Sequence, residues 1–131
     1  MKMSPVVHFE MPAEDRKRMA EFYTKVFGWK TQLLGEDMGN YVLATTTESD
    51  EKGPLKPGAI NGGFFPKSDN NPAQYPSVVI QVDDIKKQMK KVEEAGGKVL
   101  GEPMDIPGVG SYVSFLDTED NRLSMLQPTR S

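Results

Sequence analysis

The chain has 131 residues, with 16 Lys and Arg against 19 Asp and Glu and a net charge of −3, so it suits one domain and carries no basic excess for nucleic acid or an anionic membrane. It has no cysteine, which removes disulfide frameworks, thiolate metal sites and a cysteine nucleophile from consideration. No apolar run approaches the roughly 18 residues of a membrane helix and no apolar signal core opens the chain, so a cytoplasmic protein that handles small molecules or protein partners is expected.

The first element, VVHFEM at 6–11, alternates. Val7, Phe9 and Met11 fall on one face and Val6, His8 and Glu10 on the other, as in a strand with a helix packed on one side. Residues 12–27 follow as a helix, with Met19, Phe22, Tyr23, Val26 and Phe27 at helical spacing, Glu14 and Asp15 in the first turn, and Gly28 as its stop. WKTQLL at 29–34 and YVLATT at 41–46 read as two strands around a turn at 35–40. TESDEKGPLKPG at 47–58 is too hydrophilic to pack, and 58–65 is a glycine-rich fourth strand. Residues 66–76, with three prolines and no apolar periodicity, form the linker.

The pattern then restarts. SVVIQV at 77–82 alternates, Asp83 and Asp84 supply a cap, and Ile85, Met89, Val92 and Ala95 mark a second helix that Gly96 and Gly97 end. KVLGEPMDI, YVSFLD and NRLSMLQ complete the chain as three strands separated by turn formers. Sliding the second half onto the first places Asp84 on Asp15, Gly97 on Gly28 and Ser77 on His8, so the expected class is α+β, with two βαβββ modules at about 5–65 and 76–128 in one domain, 1–131.

No nucleophile elbow, phosphate-binding loop or dinucleotide fingerprint is present; GVGS at 108–111 lacks the strand-loop-helix setting. The lysine-rich KKQMKKVEE at 86–94 is the wet face of the second helix.

The helix end FYTKVFGW at 22–29, the far turn DTEDN at 117–121 and the glycine-rich GAINGG at 58–63 together resemble the vicinal oxygen chelate superfamily of glyoxalase I, bleomycin-resistance and extradiol dioxygenase proteins. The resemblance covers essentially the whole chain. It implies curved sheets enclosing a cavity with the helices outside, a small-molecule ligand and a homodimer. His8, Glu10, Ser77 and Gln81 then point toward the cavity.

In metal-dependent members a divalent ion sits on a first-strand histidine, a fourth-strand carboxylate or glutamine, a fifth-strand histidine or glutamate and an eighth-strand glutamate. His8 matches the first. The others fall on Asn61, Ser77 and Ser124, which supply little charge compensation even if Glu10 helps. No metal or other cofactor is therefore expected. His8 is read as a neutral ring lining the wall, bonded to Glu10, Gln81 or water, with metal ligand and general base as its alternatives. The expected ligand-binding set is His8, Glu10, Trp29, Tyr41, Asn61, Gln81 and Ser124. Trp29, Tyr41, Phe64 and Phe65 could stack a planar ligand or simply form core, and Gly62 and Gly63 could admit a ligand against bare backbone or mark a bulge. Tyr112 and Ser114 share a strand face, with no basis for assigning either to a ligand. The expected function is metal-free binding of a small molecule. A metal-dependent lyase, isomerase or dioxygenase acting on adjacent oxygens is the alternative.

Overall fold

The structure is a computed structural model that describes residues 2–70 and 74–129. The chain divides into two compact units, His8–Pro76 and Met1–Val7 with Ser77–Ser131. The predicted linker falls partly on residues 71–73, outside the described residues; Pro66 itself ends a strand.

The His8–Pro76 unit takes β1 (Val6–Ala13) from His8 onward, then α1 (Arg16–Phe27), β2 (Lys30–Leu33), β3 (Val42–Thr45), β4 (Ser49–Asp50), β5 (Gly53–Pro54) and β6 (Asn61–Pro66). Its main sheet has the order β2-β3-β6-β1, with β1 parallel to β6 from His8 opposite Asn61 onward and β3 antiparallel to both neighbours. The hydrophilic stretch expected to stay unpacked contains the β4-β5 hairpin, stabilised by the Asp50 carboxylate accepting from the Lys52 amide at 2.8 Å.

The second unit contains β7 (Ser77–Gln81), α2 (Ile85–Glu94), β8 (Lys98–Ile106), β9 (Gly110–Leu116) and β10 (Arg122–Pro128), in the sheet order β7-β10-β9-β8. Its first strand is again parallel to its last, Ser124 standing opposite Val79. Both units therefore show the expected βαβββ order, and the α+β class holds. The N-terminal residues belong with the second unit, where the Gln81 amide donates to the Pro5 carbonyl at 2.9 Å.

Capping chemistry sets the helix starts. Asp15 is extended and its carboxylate accepts from the Arg18 amide at 3.0 Å, so α1 begins at Arg16, and Pro12 and Ala13 finish β1. Gly28 ends α1 in the left-handed region at φ 74°. Asp84 caps α2 in the same way through the Lys87 amide at 3.1 Å, while Ala95, expected on its apolar face, is the exposed C-cap.

The α1 core face differs from the predicted stripe. Buried Ala20 joins Met19 and Tyr23 against Phe9, Met11, Ala13, Trp29, Val42, Ala44 and Phe64, whereas Phe22, Val26 and Phe27 are exposed, Phe27 by 62%. The apolar arc of this helix is wider than the sheet beneath it, and the sheet covers only the side centred on Tyr23. In the second unit Val82, Ile85, Val113, Phe115 and Met125 form the core, with Ile80, Met89, Val92, Val99 and Leu123 packed on it.

The DTEDN turn joins β9 to β10. The Asp117 carboxylate accepts from the Asn121 side chain at 3.0 Å and from the Asn121 and Glu119 amides at 2.9 and 2.8 Å. Those bonds, the Asn121 side chain first, hold its pKa below the ordinary carboxylate range.

Candidate functional site

Alternation along β1 sends Phe9 and Met11 into the core under α1 and leaves His8 and Glu10 on the opposite face. Tyr41 joins them there. Its phenol donates to Glu10 Oε2 at 3.0 Å and lies 3.3 Å from His8 Nε2. A phenol has one proton, so with that proton on Glu10 the imidazole is the donor in the second contact. His8 thus carries its proton on Nε2, and its Nδ1 is an acceptor. The chain runs from imidazole N–H to phenol to a carboxylate that is only 7% exposed.

The approach of Tyr41 depends on a glycine and a loop. Gly63 stands opposite Glu10 in β6, and a Cβ there would fall inside the Tyr41 ring. On the other face of the same strand Gly62 stands opposite Phe9, and a Cβ there would strike the Phe9 ring. Both glycines therefore admit the chain's own aromatic rings, which replaces the two readings expected for them. The 35–40 loop delivers Tyr41 through a 3-10 turn at Glu36–Met38 and left-handed Gly39 and Asn40. The Leu34 amide donates to the Tyr41 carbonyl at 2.9 Å, and the Arg16 guanidinium donates to the Leu34 and Asn40 carbonyls.

Burial holds the His8 pKa below its ordinary value of 6.5, so the ring is neutral at pH 7. The sign follows from linkage. Below pH 6.5 the unfolded chain gains a proton that folded His8 resists, so stability is undiminished above that pH and falls as pH drops toward the lowered value. Thermal melts from about pH 7.5 down to about pH 5 should show this decline, and a His8→Asn variant should show a shallower one. Equal slopes would place the titration elsewhere.

Trp29 and Asn61, in the same unit, make other contacts. Trp29 is not part of the cluster: its indole stacks on Tyr23 at 4.7 Å and meets Phe9 at 5.5 Å within the α1 core, just after the Gly28 cap. Asn61 has both ends of its amide engaged, Oδ1 accepting from the Thr46 amide and Nδ2 donating to Ser49 Oγ, each at 2.8 Å, so it fastens the hairpin to the sheet. His8 meets the Tyr41 hydroxyl, through which it is linked to Glu10, one of the partners expected for it beside Gln81 and water.

Gln81 and Ser124 belong to the second unit. With Ile80, Val82, Leu123 and Met125 packed under α2, alternation puts both on the sheet face away from that helix. Ser124 is 2% exposed, donates to the Tyr112 phenol at 2.7 Å and lies 2.9 Å from Ser114 Oγ. Arg122 Nη2 approaches Ser114 Oγ at 3.5 Å. Sequence reasoning left Tyr112 and Ser114 unassigned and passed over Arg122. The signal was the polar i, i+2 pair on each of two strands joined by a tight turn, which register brings together with Ser114 opposite Ser124.

These residues do not fit the divalent ion known from the superfamily's metal-dependent members. His8 and Glu10 both contact the Tyr41 hydroxyl, Asn61 is a neutral amide bonded to Thr46 and Ser49, and Ser124 offers only a neutral hydroxyl, so the set brings little charge to a cation. Among the described residues no three His, Cys, Asp or Glu side chains gather into a group that could hold a metal. Also among them, no helix is long and apolar enough to cross a membrane.

The paired βαβββ order, with a histidine on the first strand facing away from the helix, is the architecture of one superfamily. The profile of the Glyoxalase/Bleomycin resistance protein/Dioxygenase superfamily matches residues 6–125, and the chain belongs to that superfamily. It is 33% identical over 115 residues to a glyoxylase-like domain-containing protein of Didymella fabae, covering 86% of this chain and 84% of that protein. It is 31% identical over 125 residues to the anthracycline biosynthesis protein DnrV of Streptomyces peucetius, covering 83% of this chain but 42% of DnrV. Methylmalonyl-CoA epimerase from Mycobacterium tuberculosis shares the fold, with a TM-score of 0.67 at 12% identity over 99% of this chain and 93% of that one.

Proposed function

We propose that this protein binds a small organic molecule at the His8–Tyr41–Glu10 cluster and does so without a resident catalytic metal. The observation that carries the reading is the Tyr41 hydroxyl standing between the imidazole and the carboxylate, in contact with both. A neutral imidazole with Nδ1 as acceptor suits a ligand hydroxyl or N–H, and Tyr41 holds that tautomer in place. The likeness to a protein named for anthracycline biosynthesis supports an organic molecule as the ligand, and superfamily membership alone does not choose a reaction. A homodimer in the cytoplasm is proposed as the working state.

The test is the metal content of protein purified without a histidine tag or chelator, measured by elemental mass spectrometry. Well under one equivalent of zinc, nickel, iron or manganese per chain is expected. Near-stoichiometric metal would overturn the reading and revive a lyase, isomerase or dioxygenase acting on adjacent oxygens. Sedimentation of the same preparation at low concentration and fractionation of expressing cells check the working state; monomer only, or export of the intact chain, would remove it.

A further inference from the structure

Where β1 gives way to α1, the first unit has an open hollow of about 390 Å³ whose walls include Pro12, Ala13, Met19 and Phe22. Met19, Phe22 and Val26 follow one another at helical spacing of three and four, so they share one side of α1. Met19 packs on the core, whereas Phe22 and Val26 stay 54% and 53% exposed. Two large apolar side chains in line with an apolar hollow form a connected surface, which a soluble protein ordinarily covers.

The charges beside that surface have an order. Glu14, Arg18, Glu21 and Lys25 alternate in sign along the chain, and all four are exposed. Arg18, Glu21 and Lys25 lie three and four positions apart on the flank of α1 next to Phe22. That spacing ordinarily serves ion pairs within one helix, yet among the described residues none of the four forms an ion pair. Turned end for end, the series is its own complement. A second copy laid antiparallel on α1 sets its Lys25 opposite Glu14 and its Glu21 opposite Arg18, and each pair occurs twice. The same register brings Val26 of the second copy opposite Ala13 and its Phe22 beside Arg18, at the hollow. The helix dipoles then oppose each other as well. An in-register parallel pair would set every charge against its own sign, and an unrelated partner would require no such symmetry.

We propose that α1 is an interface between two copies of this chain, packed antiparallel about a two-fold axis at the level of Met19 and Ala20, each seating Phe22 and Val26 in the hollow of the other. The inference rests on the homodimeric working state and names its surface. Two helices of 12 residues with their flanking segments bury an area near the lower end of specific interfaces, about 1,200 Å² in total, which fits a dissociation constant in the low micromolar range.

Sedimentation velocity of the full chain between about 0.5 and about 200 µM, a range chosen to bracket that constant, should show a reversible monomer–dimer equilibrium. Phe22→Ser should weaken the dimer by at least about tenfold, as loss of a central aromatic anchor does, and leave the circular dichroism spectrum of the dilute protein unchanged. Glu14→Lys and Lys25→Glu should each weaken it by about tenfold, since both copies of a contact turn from attraction to repulsion, and the two together should restore it. Within one copy residues 14 and 25 lie roughly 16 Å apart along the chain axis, so mutual rescue can arise only between copies. A dimer that withstands Phe22→Ser, or single-variant losses that the double variant does not restore, would overturn this interface and leave a homodimer through another surface standing. Monomer across the whole range would overturn both the interface and the dimeric working state.

Discussion

A Gly63→Ala variant is expected to lose on the order of 3 kcal/mol of stability, from overpacking against the Tyr41 ring and from the loss of the phenol donor to a buried carboxylate. Gly63 stands opposite Glu10, and the added methyl would occupy the space of the Tyr41 ring. The ring must swing away, taking its hydroxyl from both His8 and Glu10. Chemical denaturation measures the loss, and long-range proton-nitrogen NMR of the single histidine reports whether Nε2 keeps its proton. Tyr41→Phe separates the two contributions, since it leaves the ring and deletes only the hydroxyl. Wild-type stability with an unchanged histidine tautomer in Gly63→Ala would mean that Tyr41 does not need the bare backbone.

The second large effect lies in the core beneath α1. Phe64 is 0% exposed, stands opposite Met11 and Val42, and has its ring 5.6 Å from that of Tyr23. Phe64→Ala should cost about 3–5 kcal/mol, from lost burial together with the cavity left behind. Phe22→Ala should cost under about 0.5 kcal/mol, because its side chain already lies largely in solvent. Denaturant midpoints of the two variants compare them directly. Similar losses would mean that α1 presents the stripe through Phe22 to the sheet, as its spacing alone predicts.

That contrast marks where sequence pattern stops being informative. Period-2 alternation in VVHFEM and SVVIQV separated the faces correctly for Phe9, Met11, Ile80 and Val82, because a strand in this order must offer one face to a helix. Gly28 and Asp84 marked helix ends through local backbone chemistry that needs no partner, whereas Asp15, expected within the first turn, is itself the cap. Phe22 and Tyr23 carry equal weight in a helical pattern, and only the width of the sheet decides between them. Trp29 and Tyr41 both sit at strand edges, yet one enters the core and the other reaches Glu10, a difference set by loop closure through Arg16 and by two adjacent glycines. Arg122 was illegible for a different reason. A charged residue beside a turn ordinarily points to water, and its turn inward shows only once β9 and β10 are in register.

The parallel pairing of first strand with last in each unit determines the order in which the chain can assemble. The β2-β3 and β9-β10 pairs join neighbouring segments and can zip as soon as their turns close, whereas His8 has no ladder partner in its unit until Asn61 has been made. Pro5 waits longer still, for Gln81. During synthesis the stretch that carries His8 and Glu10 therefore emerges well before the strand that secures it, and its alternating apolar residues need protection from premature association in the interval.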